Sequence, residues 1–169
     1  MHLREKLKFY AEKFSARDDE PHGQEIDNKH AAVWMGEHIP LLDCQDPVLE
    51  EIYYFRWWVY RKHIKKTPEG YILTEFLPQV PWSGPYNGIS CAAGHHLMEG
   101  RWLRGSDTYL RDYCVYWFLG SGREHEQDYS NWLIHAVYRF TRTTGNYDLA
   151  SELFPYMEDS YKRWKIRSL

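Results

Sequence analysis

Apolar positions in the second half of the chain recur at helical spacing in two successive pairs of segments. The first pair runs from Ser90 to Leu119 and the second from Ser130 to Trp164, so their starts lie 40 residues apart. In each pair the first segment is apolar or small on most sides, whereas the second has one apolar stripe. Because a short turn joins the two members, each pair predicts an antiparallel helical hairpin. The spacing is typical of helix-pair repeats, whose periods are roughly 20–50 residues.

Residue types at the segment ends predict where these helices begin and end. Ser90, Ser106 and Ser130 each precede a helical segment and are expected to act as N-caps. Gly145 follows the third helix and is expected to take the left-handed conformation that ends it.

The first half of the chain predicts three further helices. One extends to about Ser15, with Leu7 on its apolar face, and a shorter one covers residues 24–36. The Asp46–Pro47 pair predicts a third helix start, with an N-cap acceptor followed by proline, and this helix is expected to reach about Lys65. Its predicted inner face follows three- and four-residue spacing through Leu49, Ile52, Tyr53, Arg56, Val59, Tyr60, His63 and Ile64.

A short strand or hairpin arm is predicted at residues 71–77, and long loops precede the first helix of each hairpin. These loops cover residues 66–89 and 120–129 and are rich in aromatic, glycine and charged residues. In antiparallel hairpins, alternate connections lie at the same end of the helices. We therefore expect both loops to meet on one rim, which is where function is usually placed.

Composition narrows the classes of partner. The net charge of −3 and the absence of a long basic block argue against nucleic acid. No apolar run has membrane length, so no membrane partner is expected. The three cysteines, Cys44, Cys91 and Cys114, share no metal-binding or disulfide spacing, so neither a metal nor a cofactor is expected. The chain has no signal peptide, which predicts a cytoplasmic location if the chain is complete and otherwise leaves the location unknown.

An aromatic content of 17% favours either a large packed core or a carbohydrate-contacting surface. In the proline-rich loop, Trp82, Tyr86 and Asn87 combine flat apolar faces with polar tips, as sugar-binding clefts do. The alternative is that these side chains pack only on their own domain.

Three polar side chains on the following helix are candidate sugar contacts. His95 and Glu99 are one helical turn apart and share a face, and His96 is adjacent. A structural hydrogen-bond network is the alternative for all three, and two ligands alone are a weak metal signal.

The second loop carries the candidate for acid–base chemistry. Glu126 is the first choice among Glu124, Glu126 and Asp128, although most loop carboxylates are simply solvated. The neighbouring residues expected to bind sugar hydroxyls are Gln127, Tyr129, Asn131 and Trp132. Asn131 has the alternative role of a helix cap.

Three segments together resemble the six-hairpin (α/α)6-toroid glycoside hydrolases, on the trehalase, glucosidase and mannosylglycerate-hydrolase side. These segments read EEIYYFRWWVYRKHI, GYILTEFLPQVPWSGPYNGISCAAGHHLMEGRWL and YSNWLIHAVYRFTRTTGNYDLASELFPYM. The resemblance implies an all-α fold of antiparallel hairpins forming part of such a toroid, with a short β-hairpin insertion near residues 71–77. Those families often carry a Trp-Asp pair where this chain reads AGHHLMEGRW, so that acid is not carried over.

The resemblance also implies a domain layout and a partner. Residues 1–45 are expected to be a lead-in and residues 46–169 an incomplete toroid, because six hairpins of this size need roughly 240 residues. The missing C-terminal part of the toroid is then the expected protein partner, and a carbohydrate is the expected substrate.

The sequence therefore predicts a fragment of a glycoside hydrolase that uses two carboxylates, with inversion favoured, and that is inactive alone. Two alternatives stay open at this point. One is an α-helical repeat scaffold that binds protein. The other keeps the toroid but has the chemistry of a sugar epimerase or a polysaccharide lyase.

Overall fold

The computed structural model describes residues 2–167. Met1, Ser168 and Leu169 lie outside this range, and with them the outer ends of the two predicted domains. The chain divides into two compact units. One contains residues 1–65 and 103–105, and the other contains residues 66–102 and 106–169. The predicted domain boundary at residues 45–46 stays a prediction.

The prediction of an all-α fold with a small β insertion is confirmed. Seven α-helices and two strands make up the regular structure of the described residues. The helices are α1 (Leu3–Ser15), α2 (Ala31–His38), α3 (Pro47–Lys62), α4 (Ser90–Gly100), α5 (Asp107–Phe118), α6 (Leu133–Thr144) and α7 (Tyr147–Arg167), and the strands are β1 (Ile64–Thr67) and β2 (Gly70–Leu73). Between residues 2 and 167, none of the helices has the length and apolarity needed to cross a membrane.

Aromatic rings form the core of the first unit, in which α1 packs against α2 and α3. Tyr10 stacks on Tyr54 with ring centroids 5.2 Å apart, and Phe14 meets Trp58 edge-on at 5.9 Å. Such pairs stabilise a core beyond the contribution of their buried apolar area.

Helix α3 begins as predicted but buries a different face. The Asp46 side chain accepts hydrogen bonds from the backbone N–H groups of Val48 and Leu49, at 2.8 and 3.2 Å. The predicted face is wrong at Leu49 and Ile52, which are more than half exposed, and right at Tyr60 and Ile64, which are buried. The buried side chains of α3 are Glu50, Tyr54, Trp57, Trp58, Tyr60, Arg61 and Lys62. Because charged residues lie at both ends of this buried face, its sequence pattern resembles that of a solvent-exposed face.

The predicted helix at residues 24–36 begins later. A 3-10 turn covers Asn28–His30, and α2 follows from Ala31. The guanidinium group of Arg61 donates hydrogen bonds to the carbonyl oxygen of Ile26 and to the side chain of Asn28, which holds this stretch out of a helix.

The β insertion is a hairpin that starts earlier than residues 71–77. Helix α3 ends at Lys62, and strands β1 and β2 are joined by Pro68 and Glu69. The Thr67 hydroxyl accepts from the Glu69 N–H and donates to the Gly70 carbonyl, which closes the turn. Gly70 has φ +103°, a conformation that favours glycine.

The second unit contains the two predicted helical hairpins. Helix α4 packs against α6, and α7 packs against both α5 and α6. Gly145 ends α6 with φ +76°, as predicted. Of the three predicted serine caps, neither Ser90 nor Ser106 makes a side-chain capping bond. Asn131, not Ser130, caps α6 with its side chain, because Asn131 Oδ1 accepts from the Leu133 N–H at 3.2 Å.

Glu50 makes the first unit sensitive to acid. Its carboxylate accepts from Lys6 Nζ at 2.8 Å, from the Cys44 N–H at 3.1 Å and from the Tyr10 hydroxyl at 3.2 Å. The hydrogen bond from Lys6, followed by that from Cys44, lowers the pKa of Glu50. A lowered carboxylate pKa contributes stability that is present above the unfolded pKa, about 4.3, and is lost as pH falls through the folded pKa.

Replacing Glu50 with glutamine is therefore expected to destabilise the protein more at pH 7 than at pH 3. Urea unfolding of the wild type and of Glu50→Gln at both pH values measures the two differences. Glu12→Gln is the control, because Glu12 is largely exposed and 3.7 Å from Lys8. An equal Glu50→Gln difference at both pH values would contradict the assignment.

Candidate functional site

The two long loops of the second unit meet, as the sequence predicts. We name residues 74–89 the first loop and residues 119–132 the second loop. The Tyr129 hydroxyl donates to the Trp82 carbonyl oxygen at 3.3 Å. Gly84 lies so close to His125 that a Cβ atom at position 84 would be 2.9 Å from the imidazole Cγ. These contacts form one continuous surface across both loops.

Tyr116, near the end of α5, packs against the buried side of both loops. Its hydroxyl donates to the Pro85 carbonyl oxygen at 2.7 Å, and its side chain is fully buried. Gly88 and Gly122, one in each loop, pack directly on the Tyr116 ring, which leaves no room for a side chain. Burial, more than the nearby Glu69, raises the pKa of Tyr116.

Glu69 is a residue of this site that the sequence reasoning missed. It lies in the turn between β1 and β2, and its carboxylate accepts from the Ser121 N–H at 2.9 Å. Burial works against its ionisation, but hydrogen bonds from Ser121 and Tyr86 outweigh burial and lower the pKa of Glu69. Burial and the adjacent Glu69 raise the pKa of the Tyr86 phenol. No local sequence signal marks a turn carboxylate that contacts two loops.

Asn87 holds the first loop together. Its side-chain N–H groups donate to the carbonyl oxygens of Phe76 and Pro78 at 2.7 and 3.0 Å, and its carbonyl oxygen accepts from the Val80 N–H at 3.0 Å. The side chain is 1% exposed, so all its polar atoms face the protein. Its predicted contact with sugar stays untested, and the geometry gives it a structural role.

Two successive residues of the first loop have left-handed backbone conformations. The φ angles of Tyr86 and Asn87 are +55° and +74°. Such conformations are costly for residues other than glycine and persist where surrounding contacts over-determine them. The bonds of Asn87 and the contact between Tyr86 and Glu69 supply those contacts here.

Glu126, the predicted catalytic candidate, is 1% exposed. Its carboxylate accepts from Trp164 Nε1 at 3.2 Å, from Asn131 Nδ2 at 3.4 Å and from Arg163 at 3.5 Å. It therefore ties the second loop to α7. Glu126 also lines a cavity of about 450 Å³ together with Ser130, Asn131, Trp132, Leu133, Ile134, His135, Tyr161 and Trp164.

The three polar candidates on α4 separate into different environments. His95 is exposed, and its ring meets Trp132 edge-on with centroids 5.0 Å apart. His96 points to the other side, where Nδ1 lies 3.0 Å from the buried Tyr113 hydroxyl. Burial strongly raises the pKa of Tyr113. Glu99 is half-buried one turn beyond His95.

The remaining candidates of the second loop also divide. Gln127 is 9% exposed and donates to the Ser160 carbonyl oxygen at 3.2 Å, so it anchors the loop to α7. Tyr129 and Trp132 have exposed or half-exposed rings. Among residues 2–167 no group of three or more His, Cys, Asp or Glu side chains is arranged to hold a metal ion.

Comparisons with known proteins agree with this architecture. A family model described as the mannosylglycerate hydrolase MGH1-like glycoside hydrolase domain matches residues 85–168. A solved structure titled "Sialidase" is 40% identical in sequence, with a TM-score of 0.90 over 96% of this chain. The chain spans 15% of the length of that protein. A comparison with curated proteins gave no significant match.

The matches confirm the resemblance to six-hairpin glycoside hydrolases that the sequence indicated. The family model covers both helical hairpins, and the solved structure extends the likeness to nearly the whole chain. Residues 85–168 therefore have the sequence pattern of a glycoside hydrolase domain, and nearly the whole chain has the fold of part of a toroid of that kind.

Proposed function

We propose that the protein takes part in hydrolysis of O-glycosidic bonds and that its carbohydrate substrate binds where the first and second loops meet. The observation that supports this most is the contact between Trp82 and Tyr129, which joins aromatic residues of both loops into one surface on a glycoside hydrolase scaffold. Exposed aromatic faces beside polar tips suit sugar rings, which have apolar faces and hydroxyl edges.

The proposed chemistry uses two carboxyl groups, one as acid and one as base. In an inverting enzyme the groups lie roughly 6.5–9.5 Å apart, with a water molecule between base and sugar. Among the described residues that line the cavity, Glu126 is the single acid. The Glu126 carboxylate accepts hydrogen bonds from Trp164, Asn131 and Arg163. These bonds favour a role in positioning the second loop over direct proton transfer.

We propose that further helical hairpins of the toroid complete the site. Large apolar side chains on α6 and α7 are at least half exposed: Tyr138, Tyr161 and Ile166. Phe154 is also 62% exposed and lies about two turns before Tyr161, so the two share one face of α7, and an exposed apolar face usually marks a surface that another element covers. A hairpin packed there would also bring additional side chains to the cavity at Glu126.

The chain alone is therefore expected to bind carbohydrate without cleaving it. The test incubates the purified chain with nitrophenyl glycosides and oligosaccharides and measures released phenol and reducing ends. In parallel, affinity electrophoresis in gels that contain polysaccharide measures binding. Retarded migration without turnover is the expected result.

Three outcomes would contradict the proposal in different ways. Measurable hydrolysis would show that both catalytic carboxyl groups lie within this chain. Release of unsaturated products would indicate a lyase. Unretarded migration in every polysaccharide would favour a protein-binding scaffold.

A further inference from the structure

Three aromatic residues form an exposed surface on the loops, which we name the aromatic platform: Phe76, Trp82 and Tyr129. Trp82 is 56% exposed, and the other two are each 38% exposed. The Phe76 ring meets the Trp82 ring edge-on, with centroids 6.1 Å apart. None of the three belongs to the buried core, and each keeps more than a third of its surface open to solvent.

The platform is rigid because hydrogen bonds within the first loop hold the backbone next to Trp82. The Ser83 hydroxyl donates to the Val80 carbonyl oxygen at 2.8 Å, and the Gln79 side-chain amide donates to Ser83 Oγ at 2.9 Å. Prolines at 78, 81 and 85 restrict the backbone further. A ligand that binds to a preorganised ring does not have to order the loop, so more of the contact energy appears as affinity.

The size of the platform favours a sugar ring over a protein. Aromatic side chains bury about 150–250 Å² each, so the exposed parts of three rings offer on the order of 200–400 Å². A stable protein interface needs about 800 Å² on each partner. The Tyr129 hydroxyl is a polar group on this surface and contacts the Trp82 carbonyl oxygen. The Phe76 ring stands at 89° to the Trp82 ring, so the indole alone offers the flat apolar face that suits a pyranose.

The platform adjoins the cavity at Glu126 through the second loop. Tyr129 belongs to the platform, and Ser130, Asn131 and Trp132 line the cavity. None of the residues that line the cavity belongs to the platform, so the two are separate places for a ligand. One bound glycan that occupies both would therefore need more than one sugar unit.

We propose that the aromatic platform is a subsite for a sugar unit of an oligosaccharide, and that the protein acts on extended glycans instead of small glycosides. This inference rests on the proposed function, because it takes carbohydrate as the ligand. The cavity holds one part of the glycan chain, and Trp82 stacks against a unit further along.

The test measures how affinity depends on glycan length. Isothermal titration uses malto-, cello- and chito-oligosaccharides of one to six units. For at least one series, the wild type is expected to bind longer members about tenfold more tightly than the monosaccharide, and Trp82→Ala is expected to remove that gain. Trp82→Phe retains a flat ring and is expected to keep most of it.

Trp102→Ala is the matched control, because Trp102 is 54% exposed but follows the far end of α4 from the loops. It should leave the length dependence unchanged, and circular dichroism should show native helix content in all variants. Full length dependence in Trp82→Ala, or equal loss in Trp102→Ala, would overturn the platform while leaving carbohydrate binding in place. Absence of wild-type binding to every series would overturn the proposed function as well.

Discussion

Replacing Arg61 with methionine is expected to lower the free energy of unfolding by about 3–5 kcal/mol. Arg61 is 0% exposed, and its guanidinium group donates to the carbonyl oxygen of Ile26 and to the side chains of Asn28 and Gln24. Methionine would fill part of the volume but would leave these three partly buried acceptors without their donor. An unsatisfied buried acceptor costs about 1–3 kcal/mol, and partial exposure places each of these near the lower end.

The charge of Arg61 is itself costly to bury, which the structure partly offsets. Burial lowers the pKa of Arg61 to about 10, and the carboxylates of Glu20, Asp18 and Asp27 act in the opposite direction. The guanidinium carbon also lies 5.0 Å from the centre of the Trp58 ring, within the range of a cation–π contact. Arg61 therefore holds the irregular segment before α2 mainly through its directed hydrogen bonds, and its charge contributes less.

Urea unfolding followed by circular dichroism measures this effect. Arg4→Met is the control, because Arg4 is an exposed arginine on α1 in the same unit and should change stability by less than about 0.5 kcal/mol. A loss below about 1 kcal/mol for Arg61→Met would show that residues 24–28 are ordered by other contacts.

Replacing Gly94 with alanine is expected to cost about 1–3 kcal/mol, although alanine is normally the better helix former. A Cβ atom at position 94 would be 2.7 Å from Cε2 of Trp132. The indole ring would have to move away from α4, and with it a wall of the cavity at Glu126. We therefore expect Gly94→Ala to weaken both stability and glycan binding.

Gly36→Ala is a matched control within the same chain. Gly36 is also inside a helix, but a Cβ atom there meets nothing within 4 Å. This change is expected to raise stability by about 0.5–1 kcal/mol through helix propensity alone. Thermal unfolding of both variants should show shifts of opposite sign. Shifts of the same sign would indicate that α4 and α6 do not approach as closely as the structure shows.

Local patterns predicted the helices well where one physical effect dominates. The predicted stripe on α5 is buried throughout, and the Asp46–Pro47 pair is an unambiguous start signal. The stripe predicted on α7 is only partly buried, because Phe154 and Tyr161 are exposed. The hairpins and the meeting of the two loops followed from the alternation of short and long connections. The inner face of α3 did not follow, because Glu50 and Arg61 are buried by partners distant in sequence.

The candidate site was predictable in its location and less so in its roles. Aromatic and polar residues of two loops identified the rim, and Trp82 and Tyr129 do lie in contact there. Whether Asn87 faces sugar or its own loop depends on three backbone partners that no spacing rule reveals. Glu69 escaped notice for a similar reason, since both of its partners are distant in sequence.

The position of Glu69 joins the turn of the β-hairpin to the second loop. Its carboxylate occupies the space where a side chain at Gly120 would begin. The Tyr116 backbone is also close, with its Cα atom 2.9 Å from the same position, so a side chain at position 120 is excluded even where residue 69 is small. A shorter side chain at position 69 would therefore leave the Ser121 N–H without its acceptor and would open no usable space in the second loop.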